Sequence, residues 1–297
     1  RERKSAGRPS PADRRLAPGA CALILEAAGH TVRVAVHGRG RPLLLINGLG
    51  GSIESWGPLA DALPGRQVIT FDAPGTGLSP TPPAPLSMAG HAQLAIAIVD
   101  ALGHPRVDVL GVSFGGGVAQ TMAHRHPERV GALVLAATGC GWGGVPGNLL
   151  ALSLLATPLR FYSTSYYRAV APILFGGEAR RGAVALDHYI AARTTRPPSV
   201  WGYFSQLLAL AGWSSLAWLG QIPHRTLILA GDDDPLVPVA NARLMASRIP
   251  HAELRIIPGG GHLFLWDDTR ACGAAIREFL GRDELPHPLT KQKDGAP

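Results

Sequence analysis

The sequence predicts an α/β fold: a mostly parallel central sheet flanked by helices, with a helical cap inserted late in the sheet. Three observations carry this. Short β-branched or aliphatic runs alternate with helical stretches between residues 30 and 139, and again between 226 and 280, as βαβ units require. The alternation stops between about residues 140 and 221. Composition changes there too, since that segment holds all five tyrosines, four of the six tryptophans and three of the seven phenylalanines.

The elements follow in order. Thr31–Val36 and Pro42–Ile46 read as strands, the second ending at the turn Asn47-Gly48. Gln67–Phe71 is a third, running into the Gly/Pro-rich loop Asp72–Ser79, which reads as a packing turn. Met88–Leu102 has apolar residues at helical spacing and stops at Gly103, a usual helix terminator. Val107–Leu110 is a strand, Phe114–Arg125 a helix and Ala132–Ala136 a strand. After the aromatic segment come a strand at Thr226–Ala230, a helix at Val239–Arg248, a strand at Glu253–Ile257 and a helix at Thr269–Leu280. The expected organisation is a flexible basic head (1–20), a core (21–139 and 222–282), a helical cap or lid (140–221) and a flexible tail (283–297).

Composition narrows the function. The chain has 297 residues, 46% of them hydrophobic and 16% charged, an ordinary globular balance. Its three cysteines, Cys21, Cys140 and Cys272, are too few and too scattered for a disulfide framework or a zinc knuckle. That points to a reducing compartment. Residues 1–15 supply +4 of the formal +7 charge. The remainder shows no basic stripe with interleaved aromatics, so no nucleic-acid partner is expected. No apolar run follows the basic head, so it does not read as a secretory signal. Two uncharged stretches, Val130 to Leu159 and Ser199 to Pro223, are broken by Gly, Pro and Ser. Neither suits the roughly 20 predominantly apolar residues of a membrane span, and no transmembrane segment is expected.

One short motif carries chemistry. Gly111-Val112-Ser113-Phe114-Gly115 matches G-x-S-x-G between a predicted strand and a predicted helix. In that setting a tight turn lifts the serine hydroxyl above the sheet edge. A hydroxyl is a weak nucleophile at neutral pH and needs a base, which needs an orienting acid. Leu227–Ala230 runs into Gly231-Asp232-Asp233-Asp234-Pro235. Asp234 is favoured as the acid and its two neighbours read as turn formers. Among eleven histidines, only His262 follows a strand through a glycine approach, Gly259-Gly260-Gly261, with the chain order serine, acid, histidine. Backbone amides must hold the developing oxyanion. Phe114 N–H, next to the nucleophile, and Leu49 N–H, in the loop Asn47-Gly48-Leu49-Gly50-Gly51, are the expected donors. The chemistry calls for no metal or organic cofactor.

These motifs resemble the α/β-hydrolase superfamily from about residue 30 to residue 281. Within it the chain is most similar to the intracellular depolymerases of medium-chain-length poly(3-hydroxyalkanoates). The similarity is carried by Ile46-Asn47-Gly48-Leu49-Gly50, Phe71-Asp72-Ala73-Pro74-Gly75, and Leu229 through Pro238, followed by Gly261-His262-Leu263-Phe264-Leu265. In the cap it is carried by Ala171-Pro172-Ile173-Leu174-Phe175-Gly176-Gly177 and Gly212-Trp213-Ser214-Ser215-Leu216-Ala217-Trp218-Leu219. Many superfamily members have His-Gly where this chain has Asn47-Gly48, and Asn is similar to the depolymerase pattern. The resemblance implies a serine esterase that cleaves a bacterial storage polyester in the cytoplasm, with the storage-granule surface as its partner. The basic head departs from the family pattern. Rival functions on the same residues are a small-ester carboxylesterase, a carbon–carbon bond hydrolase and a cofactor-free perhydrolase. Outside enzymes the rival is a granule-binding protein without turnover. Serine at position 113 argues against epoxide hydrolase and haloalkane dehalogenase chemistry, which use an aspartate nucleophile.

Overall fold

The structure, a computed structural model, describes residues 21–182 and 184–282. The flexible head and tail expected from the sequence lie outside the described residues. Eight strands form one sheet: β1 (Cys21–Ala27), β2 (His30–His37), β3 (Arg41–Ile46), β4 (Arg66–Phe71), β5 (Val107–Val112), β6 (Val130–Ala136), β7 (Thr226–Gly231) and β8 (Ala252–Ile257). Their spatial order is β1-β2-β4-β3-β5-β6-β7-β8. β2 is antiparallel to both β1 and β4, and every pairing from β4 to β8 is parallel. β1 was not expected as a strand. It pairs with β2 across a hairpin in which Ala28 and Gly29 both take positive φ, the conformation that two-residue hairpin loops favour.

The helices are α1 (Gly57–Asp61), α2 (Met88–Ala101), α3 (Phe114–Arg125), α4 (Leu149–Leu155), α5 (Leu159–Tyr162) and α6 (Thr164–Phe175). After them come α7 (Gly177–Arg181), α8 (Val184–Thr195), α9 (Val200–Leu210), α10 (Val239–Arg248), α11 (Phe264–Asp267) and α12 (Thr269–Gly281). Six of them, α4 to α9, lie between β6 and β7 and form a helical insert. Strand alternation sorts the core into two layers. Leu43, Leu45, Val134, Leu227 and Leu229 pack on the side of α1 and α12. Leu44, Ile46, Val109, Leu135 and Ile228 pack on the side of α2, α3 and α10, in a cluster that continues into the insert through Phe161, Tyr167 and Tyr203.

The chain runs from β3 to β4 on one side of the sheet and then returns to β5 on the other side of β3. At such a switch point the loops leaving two adjacent strands diverge and leave a crevice at their carboxyl ends. Here those loops begin at Asn47 and Ser113. At the opposite edge, buried Asp108 of β5 accepts a bond from Arg66 Nη1 of β4 (2.7 Å) and another from Ala132 N–H of β6 (2.8 Å). It also bonds Arg41 of β3 (3.2 Å). One carboxylate thus ties four strands together. Buried His91 of α2 packs edge-on against Phe114 at 5.1 Å. Burial pushes its pKa down to about 4, so it is neutral at pH 7.

Asp108→Ala leaves the buried Arg66 guanidinium without its carboxylate and is expected to cost about 3–5 kcal/mol, read as a lowered urea midpoint. His91 generates a pH dependence. Its imidazole binds a proton more weakly folded than unfolded, so its contribution is present above about pH 6.5 and is lost as pH falls towards about 4. Up to about 3 kcal/mol is at stake. The urea midpoint of His91→Leu should therefore drop less between pH 7 and pH 4.5 than that of the parent.

Candidate active site

β5 ends at Val112, and the chain turns through Ser113 into α3. Ser113 has φ 54° and ψ −116°, a left-handed backbone that costs a side-chain-bearing residue about 1–3 kcal/mol. The surroundings hold it there. Its carbonyl accepts bonds from Gly116 N–H (2.9 Å) and Thr138 Oγ1 (2.7 Å). A Cβ at Gly115 would sit 2.1 Å from the Ile46 carbonyl oxygen, so glycine is what lets α3 start hard against the end of β3. The strain aims Ser113 into the crevice at the switch point.

The three aspartates after β7 are each committed to a different partner. Asp232 Oδ1 accepts from Gly259 N–H (2.6 Å) and so ties together the loops after β7 and β8. Asp233 accepts from Gly177 N–H (2.8 Å) and Arg180 Nη1 (2.9 and 3.0 Å), holding the insert. Both were expected to be turn formers; they lie in the turn after β7 and their side chains brace it as well. Asp234 Oδ1 accepts from Leu236 N–H (2.9 Å) and Val237 N–H (3.0 Å). Its other oxygen, Oδ2, lies 2.7 Å from His262 Nδ1. That pair is buried. With Nδ1 protonated towards the carboxylate, the lone pair of His262 resides on Nε2.

The loop carrying His262 crosses the end of β7 rather than rising straight from β8. Gly260 carbonyl accepts from Asp233 N–H (2.9 Å), and a Cβ at Gly231 would meet that same oxygen at 2.0 Å. The insert supports the crossing, because His262 N–H donates to the Phe175 carbonyl (2.6 Å) and the Phe175 ring stacks on the imidazole.

Ser113, His262 and Leu49 line one small cavity of about 30 Å³, which Arg160, Tyr189, Arg193 and Trp266 also border. Ser113 and Phe114 also line a second cavity of about 280 Å³. This larger one is walled mainly by apolar groups, among them Val145, Leu152, Leu155, Leu210, Trp213 and Leu236. The serine therefore stands between a cationic space and an apolar one. In the loop after β3, Gly51 N–H donates to the Gly48 carbonyl (2.9 Å) and Gly50 N–H to Gln206 Oε1 (2.8 Å). Leu49 N–H has no acceptor among the described residues. Phe114 N–H belongs to the first turn of α3, where helix amides have no intrahelical partner. Among the described residues there is no cluster of three or more His, Cys, Asp or Glu side chains that could hold a metal ion.

Sequence reasoning missed the contribution of the insert. Arg160, Arg193 and Gln206 are buried at the site, yet they lie in a segment without motif or clear periodicity. Their signal was only that charged and amide groups occur among aromatics. His91, which looked unremarkable, proves to be buried behind Phe114.

A family model described as the alpha/beta hydrolase fold matches residues 41–269. A poly(3-hydroxyalkanoate) depolymerase from Ectopseudomonas oleovorans is 44% identical over 252 residues, covering 83% of this chain and 88% of that protein. A 2-hydroxymuconate semialdehyde hydrolase from Pseudomonas sp. strain CF600 is 27% identical over 270 residues, 86% of this chain and 92% of its own length. Among solved structures, a meta-cleavage product hydrolase from Pseudomonas fluorescens IP01 superposes with a TM-score of 0.76 at 25% identity, covering 88% of this chain and 98% of that one. The sheet order, the strained serine turn and a family match over most of the chain agree: this protein belongs to the α/β-hydrolase family.

Proposed function

We propose that this protein is a serine hydrolase of carboxylic esters and that its substrate is a poly(3-hydroxyalkanoate). The observation that carries the reading is the buried Asp234–His262 pair at 2.7 Å, whose histidine lines one cavity with a serine on a strained strand-to-helix turn. Ser113 Oγ attacks the ester carbonyl carbon while its proton passes to His262 Nε2. Asp234 fixes the tautomer and stabilises the imidazolium. The amides of Leu49 and Phe114 hold the oxyanion. Collapse breaks the bond to the alcohol side of the chain, which leaves with the proton from His262. Water then adds to the acyl-Ser113 ester with His262 as base, releasing the carboxylic acid and restoring the serine.

The 44% identical depolymerase supports the polyester substrate, and so does the larger cavity. Its walls suit an alkyl side chain of several carbons. The insert also exposes large apolar side chains, including Trp142, Leu149, Leu150, Leu159 and Trp201. A chain acting at the surface of an insoluble polyester granule in the cytoplasm needs apolar groups of this kind. No helix among the described residues is long and apolar enough to cross a membrane. One observation favours a second reading, carbon–carbon bond hydrolysis: two arginines border the smaller cavity, and the hydroxymuconate semialdehyde hydrolase is a relative.

Ser113→Ala is expected to lower ester turnover by at least about 10³-fold while leaving thermal unfolding close to that of the parent. Soluble 3-hydroxy acids should accumulate when the parent, but not this variant, is incubated with native granules. Release from granules without ester turnover, or near-parental activity in the variant, contradicts the reading. With p-nitrophenyl esters, kcat/KM should rise about fourfold for each added methylene that the apolar cavity buries, equivalent to about 0.8 kcal/mol each. Leu152→Trp should depress turnover of long acyl chains more than that of acetate.

A further inference from the structure

The loop after β3 is a β-turn over residues 48–51, closed by Gly51 N–H donating to the Gly48 carbonyl (2.9 Å). Its third residue, Gly50, has φ 67°, as a type II turn requires. In such a turn the central peptide, here Leu49–Gly50, can flip, which exchanges type I for type II and loosens the loop. In this protein both polar atoms of that one peptide are gripped from the insert. Arg193 Nη2 of α8 donates to the Leu49 carbonyl (2.6 Å), and Gln206 Oε1 of α9 accepts from Gly50 N–H (2.8 Å). Arg193 is 5% exposed and Gln206 2%, so water does not replace either partner. Two insert aromatics close the space above: a Cβ on Gly50 would meet Phe161 at 2.9 Å and Tyr203 at 3.1 Å.

We infer that the insert sets the oxyanion hole, with Gln206 and Arg193 acting as positioning residues that lock the Leu49–Gly50 peptide in one orientation. The inference rests on the serine-hydrolase reading and extends it. The Leu49 amide belongs to the preceding peptide, whose own carbonyl is fixed by Gly51. With the Gly48 carbonyl held by Gly51 N–H and the next peptide held by Arg193 and Gln206, the peptides on both sides of the Leu49 Cα are anchored, so the loop cannot swing the Leu49 N–H away from the cavity it shares with Ser113. Lifting α8 and α9 off the sheet edge removes both anchors together. The oxyanion hole is therefore complete only while the insert is docked, which couples substrate enclosure to catalytic competence.

The test compares Gln206→Leu, Gln206→Glu, Arg193→Met, Arg193→Lys and the Leu/Met double variant, using p-nitrophenyl octanoate. Gln206→Leu and Arg193→Met should each lower kcat about 10- to 100-fold with KM within about threefold. An alkyl trifluoromethyl ketone, which forms a tetrahedral oxyanion on the serine, should lose affinity in parallel with kcat/KM. Gln206→Glu keeps an acceptor and Arg193→Lys a donor, so each should recover most of the loss. The double variant should be no more than about threefold worse than the worse single one, because one missing anchor already frees the peptide. If a truncated variant does not fold, the same comparison runs on the other anchor. A kcat that stays parental, or a loss confined to KM with ketone affinity unchanged, overturns the inference. Ser113→Ala, run alongside, separates the two failures: its survival would sink the serine reading, whereas parental kcat in Gln206→Leu beside a dead Ser113→Ala sinks only the role of the clamp.

Discussion

A parallel sheet spaces its strand ends about 4.8 Å apart, and that spacing is the constraint around which the site is built. The serine follows β5, the carboxylate follows β7 and the imidazole follows β8. β8 stands three strands from β5, so its loop must travel back over β7 before its histidine can share a cavity with Ser113. A Gly-rich segment makes that crossing possible, since Gly231 and Gly260 pass too closely to admit a side chain. Asp232 and Asp233 then hold the crossing in place from below and from the insert. The aspartate run after β7 is thus one mechanical unit: two carboxylates fix the path of the loop, and the third meets the imidazole at the end of that path.

Local signals made the sheet and most of its helices legible in the sequence. Phe114–Arg125 and Val239–Arg248 stand where their spacing and flanking residues put them, because strand periodicity and helix stops are written in neighbouring residues. Strand ends were read short at β5 and β6, where the last or first residues are held by pairing to a neighbouring strand. β1 was missed altogether. Its outward Ile24 is as apolar as its inward neighbours, so the alternation that marks a half-buried strand is blurred. The turn at Ser113 and the glycine approach to His262 left local marks because Ser113 and Gly259 take positive φ, which few residues tolerate.

The side chains that the insert lends to the site were not legible, for a different physical reason. Gln206 and Arg193 meet a peptide more than 140 residues away in the chain, and nothing near them in sequence marks a buried destination. An amide within an apolar helix reads equally well as a solvent-facing residue. Only the packing of α8 and α9 against the loop after β3 turns these positions into partners for backbone atoms. Function that depends on long-range satisfaction of backbone polar groups leaves a weak local trace.

Arg160 and Arg193 carry the same lesson into electrostatics. Both are buried, and among the described residues neither is paired with a carboxylate. A buried charge is costly unless hydrogen bonds or other charges compensate it. Here compensation comes from neutral groups: Arg160 donates to the Thr157 carbonyl and the Tyr203 hydroxyl, and Arg193 to the Leu49 carbonyl. The guanidiniums also lie over the rings of Phe161, Tyr203 and Tyr189, at 4.5 to 5.5 Å from the centroids. Aromatic faces and carbonyl dipoles offset part of the desolvation but leave the net charge in place. A carboxylate at the same position would have cancelled it. The cavity beside Ser113 is thus bordered by two buried guanidiniums without a carboxylate partner among the described residues, where a charge acts far more strongly than in water. On the proposed serine-hydrolase reading, positive charge there favours the oxyanion of the transition state over the neutral ground-state ester. Preorganised positive potential of this kind lowers the barrier rather than merely tightening binding.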